Sequence, residues 1–217
     1  MSVMLLIDTA LETASVAIAR EGSVLAVREN ARQNDHAAWL HTAIRDVMHE
    51  TDVAFSALQA VGVTDGPGSY TGLRVGLSAA KGICYGQNLP LITVSTLQVL
   101  AGAVAEKAED LIIPMIDARR NEVYVAVYDR ALNILLPEQS LILTHEFILH
   151  KFQNRKILLT GNGALKATRI ILNNDFIVSN STKTNTYLAK ITYDKLCENN
   201  ITNLSYHEPL YLKNNYL

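Results

Sequence analysis

Met4–Leu25, MLLIDTALETASVAIAREGSVL, lies without a gap over Ile113–Ile134 at the start of IPMIDARRNEVYVAVYDRALNIL. Asp8 falls on Asp117 and Val16-Ala17-Ile18 on Val125-Ala126-Val127, an offset of 109 residues in a chain of 217. Each copy reads as an apolar strand ending in Ile-Asp, a polar turn, an alternating second strand, a further turn and a third strand. That is the opening of a mixed sheet, built twice. A few Ile and Val coincide in any two strands, but an aspartate at the same point in both favours duplication.

Helical patterning follows each triple-strand start. Asn34 and Asp35 suit the N-cap of a helix running to about Glu50, with Leu40, Ile44, Val47 and Met48 on one stripe. A strand over Ala57–Val63 then meets a glycine-rich loop, and a second helix runs from about Gly72 to Tyr85. Pro90–Val94 reads as a strand, with Ser95 capping a third helix through Ala105. The polar stretch Glu106–Asp110 sets a boundary, giving domains 1–105 and 106–217. The second half predicts strands at Leu111–Asp117, Glu122–Tyr128, Asn133–Leu143 and Lys156–Thr160, a short helix over Thr144–Lys151, and a helix after Gly161-Asn162-Gly163. Phe176–Val178 and a helix over Thr186–Glu198 close it.

The loop TDGPGSYTGLRVG, Thr64–Gly76, joins a buried strand to a helix. A turn this tight needs residues tolerant of positive φ, and Ser69 and Thr71 are placed to cap the new helix, whose unpaired amides attract anions. A strand-to-helix turn without a ligand is an equal reading. The spacing excludes a Walker-type loop, because no Lys follows as G-x-x-x-x-G-K-[ST], and the loop does not open the chain as a dinucleotide fingerprint would.

Apolar residues make up 49% of the chain, which places it among globular proteins. A formal net charge of −2 with no Lys/Arg block lacks the footprint of a tight nucleic-acid binder, so contact with RNA calls for a partner. The apolar start, Met1–Ile7, has no basic n-region and is cut short by Asp8, which predicts a cytoplasmic protein with no membrane span. Cys84 and Cys197 are far apart and outside any C-x-x-C pattern, so neither a disulfide framework nor a thiolate metal site is expected.

Two halves with an acidic first-strand end and a later glycine turn describe an α/β fold of the actin-like ATPase and sugar-kinase (ASKHA) architecture. It consists of two ribonuclease H-like domains facing a cleft, each a mixed sheet flanked by helices. GPGSYTGLRVG followed by KG, and DARRNEVYVAVYD, together with the MLLIDTALETASVAI start and EPLYLK near the end, resemble the hallmark segments of the bacterial TsaB (YeaZ) family. The resemblance covers nearly the whole chain and is most specific at Asp117-Ala118-Arg119-Arg120 and Glu122-Val123-Tyr124.

That resemblance implies a part in making N6-threonylcarbamoyladenosine at position 37 of tRNAs reading codons that start with A. In this pathway the catalytic relative TsaD transfers the group, the ATPase TsaE joins it, and TsaB binds TsaD as a non-catalytic scaffold. TsaD-type relatives carry a metal-binding His-x-x-x-His after the strand that here reads PLITVS; alignment places Thr96 and Leu100 there. Neither replaces an imidazole, so no catalytic residue and no metal ligand is assigned. His36 and His41 diverge round a helix, while His41, Arg45 and His49 share a solvated basic stripe.

Actin-like enzymes place glycine and hydroxyl residues beyond the first aspartate. Thr9-Ala10-Leu11-Glu12 stands there instead, and the bulk and charge of Leu11 and Glu12 resist a triphosphate. No cofactor is expected to bind tightly, which leaves a joint surface with a partner as the place for ATP or ADP. The nucleotide or cleft candidates are Asp8, Gly66, Gly68, Ser69, Asp117, Arg119, Gly161 and Gly163, the last two a vestigial adenosine loop or a plain turn.

Gly76 and Gly82 inside a helix each cost up to about 1 kcal/mol relative to alanine, and close approach of another helix would offset that. In the family resembled, the first two helices pair with those of TsaD. The stripes Leu40, Ile44, Val47 and Leu73, Gly76, Leu77, Ala80 are therefore assigned jointly to core and interface, and an exposed Trp39 would mark the contact. Arg119, Arg120 and Glu122 form a charged turn that anchors domains or TsaD, or is a plain surface ion pair. The resemblance implies TsaD and TsaE as partners, with tRNA reached through the complex, and an apolar helical face left open predicts a homodimer when TsaD is absent. The alternative is an ATP-dependent small-molecule kinase of the actin-like group; a metallopeptidase ranks last.

Overall fold

The computed structural model describes residues 2–32, 35–144, 152, 154–170, 176–179, 181 and 183–213. The short helix expected over Thr144–Lys151 lies outside the described residues, Thr144 apart. The chain divides into two compact units: Met1–Thr96 with Asn185–Leu210, and Leu97–Thr184 with Tyr211–Leu217.

In the first unit, β1 (Val3–Asp8), β2 (Ala14–Arg20), β3 (Ser23–Asn30), β4 (Ala60–Gly66) and β5 (Leu91–Ser95) form a sheet in the order β3-β2-β1-β4-β5. β1 runs antiparallel to β2 and parallel to β4, and β4 parallel to β5. Central strands covered on both faces are continuously apolar, as VMLLID and AVGV are, whereas β3 alternates between exposed and half-buried residues at the edge. α1 (His36–Glu50) and α2 (Tyr70–Gln87) cover one face, Leu40, Ile44, Val47, Leu77 and Ala80 packing on Val3, Leu5, Ile7, Val61 and Val63.

The second unit repeats the order with β6 (Leu111–Asp117), β7 (Glu122–Asp129), β8 (Ile134–Ile142), β9 (Ile157–Thr160) and β10 (Phe176–Val178) as β10-β9-β6-β7-β8. α3 (Thr96–Gly102) precedes it, and α4 (Ala164–Ile170) packs Ala164 and Ala167 on Leu111, Ile113 and Met115. Equal strand order and equal strand directions in both units give the α/β double ribonuclease H-like architecture. Duplication rests on this topology.

The aligned aspartates are not equivalent. Val16 and Ile18 face the helices as Val125 and Val127 do, which matches the gapless alignment. On the first strand the helix-facing residues are Val3, Leu5 and Ile7 in one unit but Leu111, Ile113 and Met115 in the other, one residue out of step. Because side chains alternate faces with period two, Asp8 stands on the face away from α1 and α2, whereas Asp117 stands on the α4 side. Pairing agrees: Ile7 is opposite Val16, but Met115 is opposite Val125.

The expected boundary at 105/106 falls instead after Thr96, α3 going with the second unit, and the last helix does not stay with the second half. α5 (Thr184–Cys197) lies almost wholly in the first unit, where a Cβ on Gly62 of β4 would meet Thr192 Oγ1 at 2.6 Å. Ser15 donates to Asn185 Oδ1 at 2.7 Å in the interior, and Asn185 donates to Glu29. The chain then bridges the open edge of β5, Thr202 N–H donating to Leu91 O at 2.9 Å. A side chain at Gly62 has no room, so Gly62→Val should cost about 1–3 kcal/mol through overpacking. Urea unfolding checks this, and an unchanged midpoint would contradict the packing of α5 on β4.

Candidate functional site

The glycine loop is filled by its own chain. β4 continues to Gly66, three residues beyond the expected end, and α2 starts at Tyr70 with Ser69 as N-cap, its Oγ accepting from Gly72 N–H at 3.3 Å. The β1–β2 connection is seated against this end. Ser69 N–H donates to Ala10 O at 2.7 Å, and Thr9 Oγ1 donates to Gly72 O at 2.7 Å. A Cβ on Gly68 would overlap Ala10 O, on Gly72 Thr9 O, and on Gly76 Thr9 Oγ1. Gly66, at φ +123°, faces Leu210 O, 2.7 Å from where its Cβ would stand, and Leu210 N–H donates to Asp65 O.

Ala10 O thus takes the N-cap amide at the positive end of α2, and Thr9 O packs on the flank of its first turn. Both carbonyls carry partial negative charge, which works against a phosphate close by. Of the two readings of this loop, the geometry favours the closely packed turn.

Asp8 lies beside it. Its Oδ1 accepts from Thr64 Oγ1 at 2.7 Å and from Ala10 N–H at 3.0 Å. Burial pushes its carboxyl above the ordinary range, against the lowering effect of Thr64, Ala10 and nearby His36. His36 is itself buried, Nε2 against Leu11 O at 3.3 Å. Asp65 meets His207 Nε2 at 2.9 Å, and Lys81 Nζ donates to His207 O, tying the C-terminal segment to the same strand end.

The helical stripes assigned jointly to core and interface belong to the core. Leu40, Ile44, Val47, Leu73, Gly76, Leu77 and Ala80 are all buried, and Trp39 is half-buried against the same cluster. Periodicity finds the apolar face, and that face is occupied by the sheet. α2 instead exposes Tyr70, Thr71, Arg74, Ser78, Gly82, Tyr85 and Gly86, the Arg74 guanidinium lying 4.1 Å from the Tyr70 ring centroid. Among the described residues, and apart from the neighbouring backbone of α2 itself, nothing lies within 4 Å of a Cβ placed on Gly82 or Gly86. His41, Arg45 and His49 are exposed on α1, as the solvated-stripe reading expects.

In the second unit, Gly161 and Gly163 serve close packing: a Cβ on either would strike the β6 backbone at Met115 or Ile116. Asn162 Oδ1 accepts from Asp117 N–H at 2.9 Å. The turn after Asp117 is unusual, since Arg119 and Arg120 have φ of +66° and +50°. Left-handed backbone costs an L-residue about 1–2 kcal/mol each, and polar contacts hold it here. Asp117 Oδ1 accepts from Arg119 N–H at 2.6 Å and from Lys166 Nζ at 2.5 Å. Lys166 also donates to Arg120 O at 2.7 Å, and Lys213 donates to Ala118 O at 2.8 Å while pairing with Glu122.

Partial desolvation pulls the Asp117 carboxyl up, but Lys166 and the Arg119 amide outweigh it and leave the group below its ordinary range. The Glu122 carboxyl is lowered as well, chiefly by its hydrogen bond from Lys213. Nothing in the sequence ties Lys166 or Lys213 to this turn, although Lys213 closes the EPLYLK segment. They lie 44 or more residues from the turn they hold, and a lone lysine gives no local signal.

Thr96 and Leu100 are both buried, the Thr96 hydroxyl without a partner among the described residues. Among those residues no three His, Cys, Asp or Glu side chains cluster as metal ligands, and no helix is long and apolar enough to cross a membrane.

The doubled sheet places the chain in the actin-like ATPase and sugar-kinase class of folds. The family model described as "TsaD: tRNA N6-adenosine threonylcarbamoyltransferase" matches residues 26–212. The tRNA threonylcarbamoyladenosine biosynthesis protein TsaB of Bacillus subtilis is 32% identical over 73% of this chain and 70% of its own length. Its Escherichia coli counterpart is 29% identical over 98% of this chain and 95% of its own. The solved YeaZ from Pseudomonas aeruginosa superposes with a TM-score of 0.82 at 24% identity, over 98% of this chain and 100% of that one. The chain belongs to this threonylcarbamoyltransferase-related family and, within it, to TsaB (YeaZ).

Open and closed glycines on α2 should respond oppositely to a methyl group. Gly82→Ala, with open space around it, should gain up to about 1 kcal/mol, whereas Gly76→Ala should cost about 1–3 kcal/mol against Thr9; urea melts of both variants distinguish the two. The Asp117 carboxyl has a lowered folded-state pKa, so its contribution is present above the ordinary 3.8 and is lost as pH falls through the folded value. Lys166→Met should move the Asp117 midpoint upward in a carbon-detected NMR titration, and an unmoved midpoint would remove Lys166 as the cause.

Proposed function

We propose that this chain is a non-catalytic scaffold subunit of the complex that transfers threonylcarbamoyl to N6 of adenosine 37 in tRNAs reading A-starting codons. It binds TsaD, with TsaE joining them, in the cytoplasm. The observation that carries this reading is the family match over residues 26–212, in a chain with Thr96 and Leu100 where catalytic relatives have their histidine pair. The part in tRNA threonylcarbamoyladenosine biosynthesis comes from the TsaB relatives. Against a small-molecule kinase stands the close packing of Thr9 and Ala10 on the start of α2, with Ala10 O on the Ser69 amide. Nucleotide, on this reading, is held only at a joint surface with a partner, and tRNA is reached through the complex.

The burial of Leu73, Gly76, Leu77 and Ala80 moves the proposed TsaD contact to the outer face of α2, where Ser78, Gly82 and Gly86 leave the helix backbone open to another helix. In the absence of TsaD this face would pair with a second copy, giving a homodimer. The test is co-purification of TsaD with the tagged chain from cells. Gly82→Leu should abolish the association while leaving the thermal melt intact. Gly76→Leu is the wrong probe because it collides with Thr9. Undiminished recovery of TsaD with Gly82→Leu would place the contact elsewhere, and absence of TsaD from the wild-type eluate would end the scaffold reading.

A further inference from the structure

We propose that the Arg119–Arg120 turn is a receptor for the phosphodiester backbone of the RNA substrate. The inference rests on the reading of the chain as a subunit of a tRNA-modifying complex. Charge is unevenly shared around this turn. Asp117 and Glu122 flank the arginines, yet each carboxylate is taken by a lysine from elsewhere in the unit: Lys166 on Asp117 and Lys213 on Glu122. Both arginines are exposed; Arg119 acts on Asp117 and Arg120 on Glu122 only through charge at a distance, as the weakest of the influences on each carboxyl, and among the described residues neither guanidinium is within hydrogen-bond or ion-pair reach of an acceptor. Four cationic groups therefore face two carboxylates, and the surplus positive charge sits on the pair without acceptors.

The backbone beneath them is held in place. Two successive residues adopt φ values that favour Gly or Asn, and the turn is kept there by Asp117 on the Arg119 amide, Lys166 on the Arg120 carbonyl and Lys213 on the Ala118 carbonyl. Glu122 N–H closes it on Arg119 O at 3.1 Å. Nothing in this scaffold requires arginine. A planar guanidinium presents donors in a fork that matches two oxygens of one phosphate, and a turn already ordered loses little freedom on binding. Contacts of this kind set register on a nucleic acid without reading sequence. The chain as a whole has a formal charge of −2, so this turn is a local exception to its balance.

The experiment uses the complex with TsaD and an unmodified tRNA transcript, with affinity measured across a salt series. Arg119→Asn with Arg120→Gly removes both guanidiniums while supplying residues that accept left-handed backbone, so the variant folds. The expected result is about tenfold weaker tRNA binding and a salt slope shallower by about one to two, with recovery of TsaD unchanged. A variant complex with wild-type affinity and slope overturns the inference and leaves the scaffold reading standing. Loss of TsaD recovery in the variant alone also overturns it, assigning the arginines to a protein contact. A wild-type chain that recovers no TsaD defeats the scaffold reading and this inference with it.

Discussion

The first unit depends on how closely the β1–β2 connection approaches the start of α2. Thr9 and Ala10 bring carbonyl oxygens against Gly68 and Gly72, and the Thr9 hydroxyl fills the space at Gly76 while bonding to Gly72 O. Hydrogen bonds to Ser69 N–H and between Ser69 and Gly72 give the helix end its partners from within the chain. The Ser69 and Gly72 amides at this helix end are thereby met by oxygen atoms of the protein itself. Glycine is needed because any Cβ at these points would strike a main-chain or hydroxyl oxygen. The close approach also seats α2 on the sheet, so that its apolar stripe is buried and its opposite face, with Ser78, Gly82 and Gly86, is left outside.

The second unit handles the equivalent strand end differently. Asp117 stands on the helix-covered side of its sheet, where Lys166 of α4 can reach it, whereas Asp8 stands on the other face and is met by Thr64 and Ala10. A slip of one residue between duplicated first strands is enough, because strand side chains alternate faces. One aspartate is desolvated and pushed upward in pKa; the other is held down by a lysine and an amide. The two copies have kept a common strand order and diverged in what each strand end carries.

The return of the chain after the second sheet joins these arrangements to the termini. α5 lies in the first unit, held through Gly62 and the Ser15–Asn185–Glu29 bonds, and the following segment brings His207 to Asp65 and Leu210 to Gly66. Lys213, just beyond, belongs to the second unit and holds the arginine turn. Residues close in sequence near the C-terminus therefore support the strand-end loops of both units.

Much of the fold was legible in the sequence because it is written in local patterns. Continuous apolar runs marked β1, β4 and β6, a stripe at helical spacing marked α1, and Ser69 capped α2 as its position suggested. The family was legible too, since segments such as GPGSYTGLRVG and DARRNEVYVAVYD stand in the chain unbroken. Tertiary structure alone decided which glycines are closed and which are open, because Gly76 and Gly82 look alike in a sequence and differ only in whether Thr9 lies opposite. It likewise decided that α5 joins the first unit, that the aligned aspartates face opposite ways, and that Lys166 and Lys213 meet at one turn. Each of these is a contact between residues distant in the chain, and hydrophobic periodicity reports which face is buried without naming what buries it.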